Sequence, residues 1–330
     1  MRIPEEVLTI AEDIKTMKIR GAGKIARAAA EALKIAAEKY SGSHDPSEFK
    51  AYMKRVAELL LSTRPTAVSL PNAVYYVMYR LEKSSGTFEE LRDTVRKTAD
   101  QFIRESLEAL KKISEYGARR IKDGSVVLTH CHSTASVSVI SRAYEMGKIV
   151  KVYSTETRPL YQGRITTQQL LEKGVPVIQI PDSAVRYIMH EVDHVVVGAD
   201  TIASNGAVIN KIGTSQIALA AHEARTRVFV AAETYKFSPM TVIGELVPIE
   251  FRDPTEVVPR EWLNKHPRVK VLNPAFDVTP PEYIDAIITE IGVIPPQAAI
   301  LVLLERMGWV LEKTRVEDVA RFKLEDYVEE

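Results

Sequence analysis

Apolar residues recur every three or four positions from Pro4 to about Lys122, a period that predicts a run of amphipathic helices. Ile10, Ile14 and Met17 share one face. Beyond a break at Gly21-Ala22-Gly23, Ile25, Ala29, Leu33 and Ala36 share another. Asp45-Pro46 opens a helix over Ser47 to Leu61 and Pro71 opens one over Asn72 to Glu82, because proline's fixed φ suits a first turn that needs no N–H. A long helix is predicted from Thr87 to Tyr116, stopping at Gly117. Residues 1–122 therefore read as an all-helical N-terminal domain.

After Asp123-Gly124 the apolar runs shorten and alternate with amphipathic segments. Strands are predicted over Ser125 to Thr129, Ile149 to Tyr153, Val175 to Ile180, His194 to Gly198 and Arg227 to Ala231. Between them fall helices over Ala135 to Met146, Thr166 to Lys173, Ser183 to His190 and Thr214 to Ala224. Successive βα units give an α/β fold, a Rossmann-like domain over 123–330 with a mainly parallel sheet. The proline-rich stretch from Pro248 to Pro281 reads as loop, and Pro280 to Met307 as the last helices. No internal repeat or low-complexity tract interrupts this pattern.

Composition removes several function classes. Lys plus Arg and Asp plus Glu number 44 each in 330 residues, so no global field draws nucleic acid or an anionic membrane, and an anionic ligand must be held by local groups. No apolar run approaches the roughly twenty residues of a membrane span, and the acidic, helical start Met1 to Glu6 lacks a signal-peptide core, so a cytoplasmic protein is expected. One cysteine, Cys131, excludes a disulfide framework and a CxxC zinc cluster. That thiol is then free and reduced, either a small buried hydrophobe or a working nucleophile or base.

The chemistry concentrates where predicted strands end. Gly198-Ala199-Asp200 closes the β-branched run Val195-Val196-Val197, and Asn210-Lys211-Ile212-Gly213-Thr214 follows after a turn at Asn205-Gly206. Ligands of parallel sheets bind outside the carboxyl ends of the strands, which suits Asp200 to chemistry; an Asp in that place also caps whatever follows. Thr129-His130-Cys131-His132-Ser133-Thr134-Ala135 joins the first strand to a helix. Its free amides suit phosphate, and the same helix field would lower the Cys131 pKa. A metal at His130-Cys131-His132 is disfavoured, because alternate residues of an extended segment point to opposite faces. His190-Glu191-Val192-Asp193-His194 matches a zinc-protease string, but His194 opens a strand, so the two His cannot share one helix. Arg20-Gly21-Ala22-Gly23 is not a phosphate loop of Walker type and alone reads as a helix break; arginine and lysine at several loops together, Arg20, Arg64, Arg158 and Lys236, suit a phosphorylated ligand.

Taken in order, Arg20-Gly21-Ala22-Gly23, Arg64-Pro65-Thr66, Thr129-His130-Cys131, Glu156-Thr157-Arg158-Pro159 with Gln162-Gly163, Gly198-Ala199-Asp200 and Asn210-Lys211-Ile212-Gly213-Thr214 resemble one superfamily across nearly the whole chain. It contains methylthioribose 1-phosphate isomerase, archaeal ribose 1,5-bisphosphate isomerase and the alpha, beta and delta subunits of translation initiation factor 2B. The isomerases are known for a catalytic Cys and Asp, which Cys131 and Asp200 match; the initiation-factor subunits generally lack the pair. Methylthioribose enzymes typically read Cys-Asn-x-Gly-x-Leu and Gly-Ala-Asp-Arg and carry a longer amino-terminal region, whereas this chain has Cys131-His132-Ser133-Thr134-Ala135 and Gly198-Ala199-Asp200-Thr201. The departures resemble the archaeal ribose 1,5-bisphosphate isomerases.

That resemblance implies an aldose-ketose isomerase of nucleotide salvage, with no metal and no cofactor. Cys131 would be the base at carbon and Asp200 the acid, its pKa raised by burial. Arg20, Gly21, Ala22, Gly23, Arg64, Ser133, Thr134, Ala135, Gln162, Asn210, Lys211 and Lys236 would bind the sugar bisphosphate, Lys211 pointing at a phosphate or hydroxyl. It further implies a homo-oligomer, a dimer or assembly of dimers, with AMP a candidate activator. The alternatives are a methylthioribose 1-phosphate isomerase and a non-catalytic regulatory subunit that associates with initiation factor 2.

Overall fold

A computed structural model describes residues 2–64, 68–244 and 246–311. Five helices come first: α1 (Glu5–Lys15), α2 (Ala22–Glu38), α3 (Pro46–Thr63), α4 (Ser69–Lys83) and α5 (Phe88–Ala118). Their period sets their packing: Ile25, Ala29, Leu33 and Ala36 of α2 are all buried, as are Val7, Ala11 and Ile14 of α1. Met17 lies beyond α1, in the left-handed region at φ 59°. A capping box starts α5, the Thr87 N–H donating to the Glu90 carboxylate at 2.8 Å. Gly117 does not stop this helix, which runs on to Ala118. A side chain at Gly117 would overlap Val139, so the glycine serves a close helix approach instead.

The α/β part follows as β1 (Ser125–Thr129), α6 (Thr134–Glu145), β2 (Ile149–Thr155), α7 (Gln162–Glu172), β3 (Val177–Ile180), α8 (Val185–Ile188), β4 (His194–Gly198), β5 (Thr201–Ile202), β6 (Val208–Lys211), α9 (Thr214–Ala224), β7 (Arg227–Ala231), α10 (Arg260–Lys265), β8 (Phe276–Thr279), β9 (Ala286–Thr289), β10 (Gly292–Ile294) and α11 (Ala299–Leu311). Seven strands form one sheet in the order β10-β9-β7-β4-β1-β2-β3, parallel except for β10. Every residue of β4 is buried, as its unbroken apolar run requires. Val196 and Phe229 pack with Val139 of α6 on one face, while Val195, Val197 and Val230 pack with Ala218 of α9 on the other.

Two readings of the carboxy-terminal third are corrected. The span 280–307 holds the strands β9 and β10 before its single α-helix, and the loop 248–281 contains α10 and β8. A four-residue run such as Ala286 to Thr289 carries no period that separates strand from helix; its parallel pairing with Phe229 to Ala231 decides. A small antiparallel sheet, β5-β6-β8, also escaped the pattern because β5 has only two residues. Among the described residues no helix is long and apolar enough to cross a membrane.

The strand order reverses direction at β1. From there the chain passes through α6 to β2 on one side, whereas β4, on the other side, continues to β7 through elements on the opposite face. Such a reversal is where the ligand crevice of an open α/β sheet lies, outside the carboxyl ends of β1 and β4.

Candidate active site

Cys131 leaves β1 and Asp200 leaves β4, and these strands pair directly, Leu128 beside Val195. The two residues therefore follow neighbouring strand ends, the strands themselves being about 5 Å apart. The loops touch: a side chain at Gly198 would overlap Ser133, so glycine here permits the close approach. Asp200 then starts the β5–β6 hairpin, its N–H donating to the Ile209 carbonyl at 3.0 Å, one step beyond the Thr201–Ile209 pair. That register brings Lys211 to where the Cys131 and Asp200 charges act on it, while Asn210, its neighbour on the strand, points to the other face.

The backbone around Cys131 is strained and firmly held. Cys131, Thr157 and Tyr161 all take φ near +60°, which non-glycine residues adopt where surroundings over-determine them. The Cys131 N–H donates to Thr157 Oγ1 at 2.9 Å, and its carbonyl accepts from Thr166 Oγ1 at 2.7 Å. Asp182 fixes the facing loop by accepting the N–H groups of Thr157 and Arg158 at 2.8 and 2.7 Å. A side chain at Gly163 would overlap the Thr155 carbonyl oxygen. Gly163→Ala is therefore expected to destabilise the protein by about 3 kcal/mol, read as an earlier midpoint in urea unfolding; an unchanged midpoint would show the contact to be compliant.

The expectation that a helix field lowers the Cys131 pKa is overturned. Burial pushes the thiol up to about 11, with the Lys211 charge as the chief opposing influence and Asp200 acting upward. The first turn of α6 is also occupied, since the Ser133 hydroxyl accepts the Ser136 N–H at 3.3 Å. Lys211 is buried and held below its usual range by that burial, against the pull of the Cys131 and Asp200 charges. Its ammonium lies 4.6 Å from the Phe276 ring centre. Lys211 thus lies close enough to sense both Cys131 and Asp200.

Asn210 is buried and donates to Thr214 Oγ1 at 3.0 Å. Gln162 opens α7 with its carbonyl oxygen buried and without a partner among the described residues. Ser133 caps α6, whose first turn contains Thr134, exposed, and Ala135, buried. Gly21, at φ 91°, precedes α2, and Ala22 and Gly23 form its first turn, behind the exposed Arg20. The charge of Lys24, in that turn, adds to burial in lowering the His132 pKa, which brings α2 to the Cys131 loop. A side chain at Gly23 would come within 2.9 Å of the Tyr235 hydroxyl and 3.4 Å of Glu233. Lys236 lies on this side too, buried and paired with Glu233 at 2.8 Å. Arg64 pairs with Glu250 at 2.9 Å; Pro65 and Thr66 lie outside the described residues. His130 and His132 turn to different partners, His130 to Thr155 and Ile212, His132 to Thr166.

Sequence reasoning missed several neighbours. Glu250 also binds Arg252 at 2.9 Å; burial pushes its carboxyl up, but Arg252 and Arg64 hold it below the usual range. Arg252 in turn acts on both Cys131 and Lys211. Asp277, on β8, accepts the Gly213 and Ser215 N–H groups at 2.7 and 3.1 Å, and burial raises it to about 6. No spacing signalled these residues, because β8 and the 250–252 segment lack a readable period.

The model of the Initiation factor 2 subunit family matches residues 18–296. The chain belongs to that family. A ribose 1,5-bisphosphate isomerase of Thermococcus kodakarensis is 56% identical over 318 residues, covering 95% of this chain and 98% of the relative. A methylthioribose-1-phosphate isomerase of Carboxydothermus hydrogenoformans is 40% identical, covering 87% of each chain. Among solved structures, the translation initiation factor eIF-2B of Pyrococcus horikoshii OT3 superposes with a TM-score of 0.77 at 33% identity, covering 90% of this chain and 99% of its own. Members of the family thus bear names of both isomerases and initiation factors, and the site must choose between them.

Proposed function

We propose that this family member converts ribose 1,5-bisphosphate to ribulose 1,5-bisphosphate. The observation that carries the reading is the pair Cys131 and Asp200 on adjacent strand ends, in a chain 56% identical over 318 residues to a relative named for that isomerisation. A scaffold subunit has no use for a strained cysteine facing a carboxylate and a buried lysine.

A sugar phosphorylated on its anomeric oxygen cannot open to a free aldehyde without losing phosphate. The chemistry consistent with the site opens the ring instead. Asp200 donates a proton to the ring oxygen as the bond from C1 to that oxygen breaks, leaving positive charge shared between C1 and its phosphate-bearing oxygen. Cys131, as thiolate, removes the C2 proton and an enol phosphate forms. The thiol returns that proton to C1, and the C2 hydroxyl proton passes to Asp200 as the ketone forms. No proton or electron is left over.

Lys211 faces the sugar in this reading, with Gln162 offering its unpartnered carbonyl oxygen. Arg20, the Gly21 to Gly23 amides, Arg64, the Ser133 to Ala135 turn and Lys236 hold the two phosphates. Lys236 must then share its charge with Glu233. The wider reading places the enzyme in the cytoplasm, as a homo-oligomer in nucleotide salvage that supplies a carboxylase, with AMP as the activator to test.

Purified protein offered each substrate separately is expected to produce ribulose 1,5-bisphosphate from ribose 1,5-bisphosphate and to turn over methylthioribose 1-phosphate at least about 100-fold more slowly, since the 5-phosphate grip is lost. Preference for the methylthio sugar would replace this reading; no turnover of either would favour a regulatory subunit.

A further inference from the structure

His130 makes no contact in the mechanism above, yet it is fully buried and hydrogen-bonded at both ring nitrogens. Its Nδ1 lies 2.6 Å from Thr155 Oγ1 and its Nε2 lies 2.9 Å from the Ile212 carbonyl. Burial is the main cause that holds its pKa near 4, so the ring is neutral in any ordinary buffer and carries one proton. A carbonyl can only accept, so that proton is on Nε2 and Nδ1 must accept from the Thr155 hydroxyl.

This assignment propagates. With its proton committed to His130, Thr155 can only accept from Thr157 Oγ1, 3.3 Å away. Thr157 in turn accepts the Cys131 N–H at 2.9 Å. A directed chain therefore runs from the Cys131 backbone through Thr157, Thr155 and His130 to the carbonyl of Ile212, the residue after Lys211. The Thr157 hydroxyl also lies 3.5 Å from His130 Nδ1, so its proton is shared between the two acceptors ahead of it, an arrangement in which neighbouring bonds polarise one another. His130 also packs on Gly213, where φ is 102° and a side chain would come within 3.1 Å of the ring.

We propose that His130 is a positioning residue that ties the Cys131 loop to the turn after Lys211 and so sets the distance between thiol and ammonium. The inference rests on the reading of Cys131 as the base only for its kinetic consequence; its physical content is the ionisation of the thiol. Cys131 faces Lys211 from β6, Asp200 from the loop after β4 and Arg252 from the segment before α10, and of these Lys211 is the strongest influence favouring the thiolate. His130 itself faces Asp182 and Lys211.

Because the chain has a single cysteine, alkylation by iodoacetamide reads this thiol alone. His130→Asn keeps an acceptor for Thr155 but cannot reach Ile212, and it is expected to react about tenfold more slowly than wild type at pH 8, with its rate–pH curve displaced upward by about one unit. His130→Gln reaches Ile212 with its amide N–H and is expected to restore most of the wild-type curve. Thr155→Val, an isosteric break in the middle of the chain, is expected to move the curve in the same direction as His130→Asn and decides the matter if His130→Asn fails to fold. In turnover, kcat falls about tenfold while KM stays within about twofold, because His130 touches no substrate. Unshifted curves in His130→Asn and Thr155→Val would overturn the proposal. Failure of Cys131 as the catalytic base would show instead as turnover in Cys131→Ser, with the alkylation result unaffected.

Discussion

Cys131→Ser is expected to lower kcat for ribose 1,5-bisphosphate by about a thousandfold, the range for loss of a general base. A serine hydroxyl is far less acidic than even this disfavoured thiol, so the variant holds no base at C2. The scaffold has no reason to change. The Cys131 backbone is held at 2.9 Å by Thr157 and at 2.7 Å by Thr166, the His132 backbone N–H that favours the thiolate can serve a hydroxyl as well, and the side chain differs by one atom. Asp200→Asn is the matching test of the acid. It removes the proton that would reach the ring oxygen while the Asp200 N–H keeps its bond to Ile209. A loss of similar size is expected, and the double variant should be about as slow as the slower single one, because groups that act in one step are not additive. Progress curves followed by product formation, with circular dichroism to confirm folding, check all three. Turnover within tenfold of wild type in either single variant would remove that residue from its assigned role.

How far the chain announces this site depends on what each residue answers to. Asp200 and Cys131 are legible because their surroundings are local: an unbroken apolar run marks a doubly covered strand, and the residue after it must sit at the sheet's ligand edge. The helices of the first 122 residues are legible for the same reason, since one period fixes both their conformation and their buried face. Glu250 and Arg252 answer to something distant. They reach the crevice because Arg252 N–H bonds to the Asn273 carbonyl and Ala275 N–H to the Glu250 carbonyl, a pairing without sequence period. The strands β9 and β10 went unseen on similar grounds. Ionisation fails differently: the chain shows a helix start beside Cys131, which argues for a thiolate, but it does not show how deeply the thiol is enclosed. Burial outweighs the helix field, and only the packed structure reveals the sign.

That sign gives the second large effect. A thiol raised to about 11 is mostly protonated in the free enzyme at neutral pH, and below that value its thiolate fraction grows tenfold for each unit of pH. Since kcat/KM reports ionisations of the free enzyme, log kcat/KM is expected to climb between about pH 7 and pH 9 with a slope near one. Lys211 bends the curve. Its own pKa is lowered, mainly by burial, so on the alkaline side it loses the charge that favours the thiolate, and the slope falls below one there. The two groups titrate as a pair, and the break belongs to both. Lys211→Met removes that charge at every pH while keeping an unbranched chain over Phe276. The variant should lose about 100-fold in kcat/KM at pH 8, from a less available thiolate together with a lost contact to the sugar. It should also keep a slope of one to higher pH than wild type, because no lysine remains to discharge. A stopped assay from pH 6.5 to 10 on both proteins decides the point. A flat wild-type profile across pH 7 to 9 would mean that Cys131 is already ionised, that it is not the base, or that loss of the proton the acid must donate offsets the gain in thiolate. A Lys211→Met profile parallel to wild type throughout would leave Lys211 as a substrate ligand with no hold on the thiol.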